Sequence, residues 1–192
     1  MRVQSVRSLP HGINAALSLR VPPMGSTWHL TTSLTLPGAP DDVFPFFADA
    51  SNLGRITPPE LGFAIRTPMP VAMQRGTLID YTISVFGIPM PWRTRISAWE
   101  PPHFFVDEQL KGPYAQWVHE HRCVAVAGGT RIEDHVTFCL PFAAIGDLAA
   151  PVVHRMLRRI FTHRQVTVAQ MLAPGAQGAA IAPVVISRRA PG

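Results

Sequence analysis

Residues 27–36, TWHLTTSLTL, alternate, so that Trp28, Leu30, Thr32, Leu34 and Leu36 fall on one face of a strand. The next stretch, PGAPDDVFPFFADASNL, puts Pro40, Asp41 and Asp42 ahead of Val43, Phe44 and Phe47 at helical spacing. Proline and acids suit a helix N-terminus, where backbone N–H groups lack partners and the dipole favours negative charge. A second short helix is predicted over 51–56, stopped by Pro58-Pro59. Strand-like segments follow at 61–67, 75–86, 89–99, 103–110, 114–126 and 130–140. The patterned region closes on a long helix through GDLAAPVVHRMLRRIFTHRQVTVAQML. Its predicted apolar stripe is Leu148, Val152, Met156, Ile160 and Phe161, with His154, Arg155, Arg158, Arg159, His163 and Arg164 on a solvated face. One strand, two short helices, six strands and a long helix predict an α+β fold. Its seven-stranded antiparallel sheet would have one face covered by the helix.

Turn chemistry orients the side chains. Gly128-Gly129 reads as a two-residue type I′ hairpin loop, which needs positive φ twice. That register sets Trp117 opposite Leu140, His119 opposite Phe138, His121 opposite Val136 and Cys123 opposite Asp134. Gly87-Ile88, read as a type II′ loop, sets Ile83 opposite Trp92, Tyr81 opposite Thr94 and Asp80 opposite Arg95. A longer turn through Glu100 to His103 carries Phe105, Asp107 and Gln109 inward. The apolar face then holds an unusual polar set: Tyr81, Thr94, Asp107, Gln109, His119, His121 and Asp134. Buried polar groups are costly unless hydrogen-bonded or met by water or ligand. Two readings stay open, a satisfied structural network and the polar lining of a small-molecule cavity.

The chain has 192 residues, 47% hydrophobic and 15% charged, a globular composition. Residues 1–25 lack periodicity and read as a disordered extension, with translation starting at Met1 or Met24. Residues 26–172 form one domain. Residues 173–192, rich in Ala, Pro and Gly, read as a flexible tail. Both ends are expected to be dispensable for folding. The formal charge of +5 comes without a lysine run or a nucleic-acid signature, so no nucleic-acid partner is expected. No apolar run reaches the ~18–20 residues of a membrane span and no signal peptide is read, which points to the cytoplasm. The basic face of the last helix leaves peripheral contact with anionic lipid open. The two cysteines, Cys123 and Cys139, fall on opposite faces and are expected to stay unbridged. Oligomeric state has no signature.

The stretches VFPFFADASNLGRITPP, RGTLIDYTI, WRTRISAWEPPHFFVDEQLKGPYAQWVHEHRC and GGTRIEDHVTFCLPF resemble the SRPBCC superfamily. It comprises START domains, the major birch pollen allergen and polyketide cyclases/dehydrases, and the likeness is greatest to its small bacterial members. It spans about residues 28–170. It implies the helix-grip fold, a seven-stranded antiparallel sheet curved around a long C-terminal helix with two short helices between the first two strands. It also implies a cavity for a small, largely hydrophobic ligand such as a lipid, isoprenoid or polyketide-like molecule. The candidate ligand-binding residues are Tyr81, Thr94, Trp99, Asp107, Gln109, Trp117, His119, His121, Asp134, Phe138, Met156 and Ile160. A cyclase/dehydratase-type enzyme is the first alternative, with His119, His121, Asp134 and Asp107 as acid–base candidates. A chaperone-type interaction module is the second, although no exposed apolar patch is legible. His119 and His121 with Cys123 and Asp134 are ligand types a metal accepts. The resemblance implies no metal family, however, so neither metal nor cofactor is expected. There is no dinucleotide fingerprint, P-loop or nucleophile elbow.

Overall fold

In a computed structural model, which describes residues 25–85, 87–175 and 179–188, strand β1 (Thr27–Leu36) buries Leu30, Thr32, Leu34 and Leu36 in strict alternation. The expected extension over 1–25 lies outside the described residues apart from its last residue. Helix α1 (Pro40–Ala48) starts on Pro40, and the Ala39 amide donates to Asp42 Oδ2 at 3.2 Å. A 3-10 turn at Ala50–Asn52 leads into α2 (Leu53–Ile56). Then come β2 (Ala64–Ile65), β3 (Leu78–Val85), β4 (Ile88–Glu100), β5 (Phe104–Lys111), β6 (Gln116–Val126) and β7 (Gly129–Cys139), followed by α3 (Ala143–Leu172). All pairings are antiparallel, in the order β2-β3-β4-β5-β6-β7-β1. The fold is the α+β helix-grip arrangement expected.

The sheet is larger than seven strands, because the expected loose tail is partly structured. Strands β8 (Ala180–Ile181) and β9 (Val185–Arg188) both pair with the free edge of β1. Gln165 of α3 donates to the Ser33 and Ala182 carbonyls, at 2.8 and 3.2 Å, and the Ala182 amide donates to Ser33 at 2.9 Å. An edge strand exposes unpaired backbone groups, and the β-branched run Val184-Val185-Ile186 suits pairing there. The neighbouring prolines mask this signal in the sequence.

Both tight hairpins close two residues away from the predicted register. Trp117 pairs with Phe138, His119 with Val136, His121 with Asp134 and Cys123 with Ile132. Tyr81 pairs with Trp92 and Asp80 with Arg93, so the expected Asp80–Arg95 ion pair is replaced by Asp80–Arg93 at 2.7 Å. The cause is the same in each. One loop glycine carries the left-handed φ, Gly87 at 77° and Gly128 at 86°, and the next residue already belongs to the strand, Gly129 with a nearly extended φ of 159°. Gly129 has another duty: a side-chain carbon there would run into the Leu36 carbonyl at the end of β1. A two-residue slip preserves the face, so every inward assignment survives.

The inward surface holds two apolar clusters. One gathers Leu34, Val43, Phe44, Ile96, Phe105, Cys123 and Ile132. The other gathers Leu30, Trp92, Trp117, Val136, Phe138, Leu157 and Phe161. Between them a polar belt crosses the sheet: Asp107 pairs with His119, and Asp134 with both His121 and Thr32, while Thr94 pairs with Gln109 on the neighbouring strands. The face of α3 against the sheet is Ala150, Val153, Leu157, Phe161, Gln165 and Val168. The predicted stripe is therefore corrected at its start. Leu148 is 82% and Val152 56% exposed, because the buried face of the helix here runs through Ala150 and Val153 and leaves these two on the outer side.

Candidate functional site

A cavity of about 420 Å³ lies between the sheet, α3 and the region around α2. The alternation of β3, β4 and β6 projects Tyr81, Trp92 and Trp117 into it. Tyr81 stacks on Trp92 at 5.7 Å, Trp92 meets Trp117 edge-on at 5.6 Å, and Tyr114 leans on Trp117 at 4.7 Å. Leu157, Ile160 and Phe161 of α3 form the opposite wall. One corner is polar, made by Asp107, His119 and Arg164. The mouth is flanked by Phe142 and Ile145, 82% and 73% exposed. With Leu148 they form an exposed apolar patch that the sequence reading lacked.

The polar corner is the visible side of a four-residue cluster. β5 and β6 set Asp107 opposite His119, and β6 and β7 set His121 opposite Asp134. His119 Nε2 lies 2.9 Å and His121 Nδ1 3.0 Å from Asp134 Oδ1. Their other nitrogens turn toward Asp107 Oδ2, His121 Nε2 at 3.1 Å and His119 Nδ1 at 3.6 Å. Phe105 stacks on His121 at 4.1 Å and Phe161 meets His119 at 5.5 Å, which excludes water from the rings. Burial, reinforced by the neighbouring His121 charge, holds the His119 imidazole down at about 4. Burial also opposes charge on His121, but its contacts with Asp107 and Asp134 outweigh it and raise that pKa. Asp134 is held well below the usual carboxylate range, its histidine hydrogen bonds and the Arg164 charge overcoming burial. Asp107 moves in the same direction, its His121 hydrogen bond and the histidine charges likewise overcoming burial.

Of the twelve candidate ligand-binding residues, Tyr81, Asp107, Trp117, His119, Met156 and Ile160 line this cavity. Thr94 and His121 border a smaller void of about 60 Å³ beside it, shared with Asp107 and Arg164. Asp134 lies behind the histidines, its side chain 7% exposed. Three candidates serve the fold instead. Gln109 donates to the Tyr114 carbonyl at 2.7 Å and secures the β5–β6 loop. Phe138 is fully buried beneath Trp117. Trp99 packs on Phe44 and Phe105 in the other apolar cluster, at 5.4 and 5.7 Å.

The missed wall residues include Trp92, Tyr114 and Arg164. Trp92 was already on the inward face. Arg164 follows Phe161 by three positions and precedes Val168 by four, a spacing that places it on the sheet-facing side rather than with the exposed arginines. Its Nε is buried without a hydrogen-bond partner.

No family model and no curated protein matches the chain. Solved structures do. The Zhui aromatase/cyclase from Streptomyces sp. R1128 superposes with a TM-score of 0.61 at 18% identity, over 78% of this chain and 99% of that one. Ara h 8.0201 gives 0.52 at 19%, over 74% and 99%. Major latex-like protein 151 from Panax ginseng gives 0.57 at 12%, over 78% and 100%. The chain thus shares the helix-grip fold of these structures, the fold its sequence resemblance implied. Among the described residues no helix is long and apolar enough to cross a membrane.

Proposed function

We propose that the chain binds one small, largely hydrophobic molecule in the cavity between sheet and α3, with the ligand's polar end at the Asp107–His119–Arg164 corner. The observation that carries this reading is the contrast within one wall, aromatic rings over most of it and three polar groups at one end. That division suits an apolar body with a single oxygenated head, and the volume lies in the range of drug-sized sites. Freshly purified full-length chain, examined by native mass spectrometry and solvent extraction, tests it. A retained apolar compound in stoichiometric amount is expected. A chain that emerges empty and then takes up no fatty acid, isoprenoid or aromatic polyketide would contradict it.

A cyclase or dehydratase activity is the second reading. It is favoured by the placement of His119 and Asp107 on the cavity wall itself, within reach of a bound carbonyl. The similarity of fold to an aromatase/cyclase supports the class of substrate to be tried first.

A further inference from the structure

We propose that Asp107, His119 and His121 form a mononuclear site for a divalent transition-metal ion of the zinc or iron(II) class at the cavity wall. One ligand atom from each residue can be chosen so that all three lie within 4.8 Å of one another. Asp107 Oδ2 is 3.1 Å from His121 Nε2 and 3.6 Å from His119 Nδ1. Bonds of about 2.0–2.2 Å to nitrogen and oxygen require ligand atoms at about this spacing.

The opposite edges of the rings strengthen the case. His119 Nε2 is hydrogen-bonded to Asp134 Oδ1 at 2.9 Å, and His121 Nδ1 lies 3.0 Å from the same oxygen without being aligned on it. An outer carboxylate that orients ligating imidazoles is the usual companion of a histidine-bound metal. If each ring carries its proton on the nitrogen nearer Asp134, the other two nitrogens present lone pairs to the Asp107 carboxylate. Three lone pairs converging in apolar surroundings would repel one another and favour a cation between them. A proton serves only one of the two imidazoles, whereas a metal ion serves both.

The donor set selects the ion. Cys123 pairs with Ile132 in the apolar cluster, leaving two imidazoles and one carboxylate. That set suits zinc, and with open positions it suits iron(II). Asp107 and His119 also line the cavity, so the open position faces a bound ligand. The two aspartates balance the ion's charge formally. Arg164, which borders the same corner, then favours a ligand headed by an ionisable oxygen.

The proposal goes beyond the ligand-binding reading and does not depend on it. Its test uses the full chain purified without a histidine tag, stripped with a chelator, then titrated with zinc by calorimetry and with cobalt(II) by visible absorption and NMR. One ion per chain is expected. Asp107→Asn and His119→Gln should each lose at least about a hundredfold in zinc affinity, more than outer-shell changes typically cost, and His135→Gln on the outer face should lose none. Paramagnetically shifted imidazole signals from His119 and His121 in the wild-type cobalt form would support the site even if the buried variants fail to fold. Folded wild type that takes up neither zinc, cobalt(II) nor iron(II) at one equivalent, or that shows no such shifted signals, overturns the proposal. Hydrophobic dye bound by the metal-free chain in the same experiment would keep the cavity reading standing.

Discussion

Trp117 shows what a single side chain carries. It is 7% exposed, contacts Trp92, Tyr114 and Phe138, and turns its remaining surface to the cavity. Truncating a buried tryptophan to alanine costs about 3–5 kcal/mol, and a ring already bordering a void falls near the lower end. Trp117→Ala should therefore lower stability by about 3 kcal/mol in urea unfolding. Val118→Thr, on the opposite face of β6, should stay within about 0.5 kcal/mol. The reverse order would contradict the observed face assignment. At this scale the sequence was informative but incomplete. His119, His121, Asp107 and Asp134 were legible as inward because parity alone decides the face of a strand. That His121 meets Asp134 directly across the ladder, and that both carboxylates share both rings, required the true register. Trp99 shows the same limit differently. Alternation says which face a residue takes, not how far along the sheet it lies, and an irregularity between Ile96 and Ala98 intervenes.

At the level of elements, the hairpins and the tail account for most departures from expectation. Glycine pairs announce a turn, but Gly129, with a nearly extended φ of 159°, is present for its lack of a side chain against β1 rather than for a second left-handed turn residue. The contact that imposes this spans the sheet and has no local signature. The tail strands are likewise tertiary: four β-branched or apolar residues find an open edge only once β1 exists. Their hydrogen bonds to β1 and Gln165 give a definite expectation. A chain ending at residue 175 should unfold at lower urea concentration than one ending at 188, by at least about 2 kcal/mol, given roughly 1 kcal/mol net per lost hydrogen bond. Equal midpoints would mean that β8 and β9 are incidental to stability.

For the whole molecule, the account rests on one arrangement. Two apolar clusters sandwich a polar belt, and where α3 stands away from the sheet a cavity opens whose polar corner is part of that belt. The central claim is that this cavity is the binding site, and a filling substitution tests it most directly. Val153 projects from α3 into the space, and Val153→Trp should occupy it while leaving the sheet untouched. A hydrophobic dye titrated into wild type, Val153→Trp and His135→Phe, with circular dichroism to confirm folding, gives the decisive comparison. The account predicts wild-type affinity for His135→Phe and at least a tenfold loss for Val153→Trp, equivalent to about 1.4 kcal/mol. Equal affinity across all three folded proteins would place the bound molecule elsewhere and contradict it.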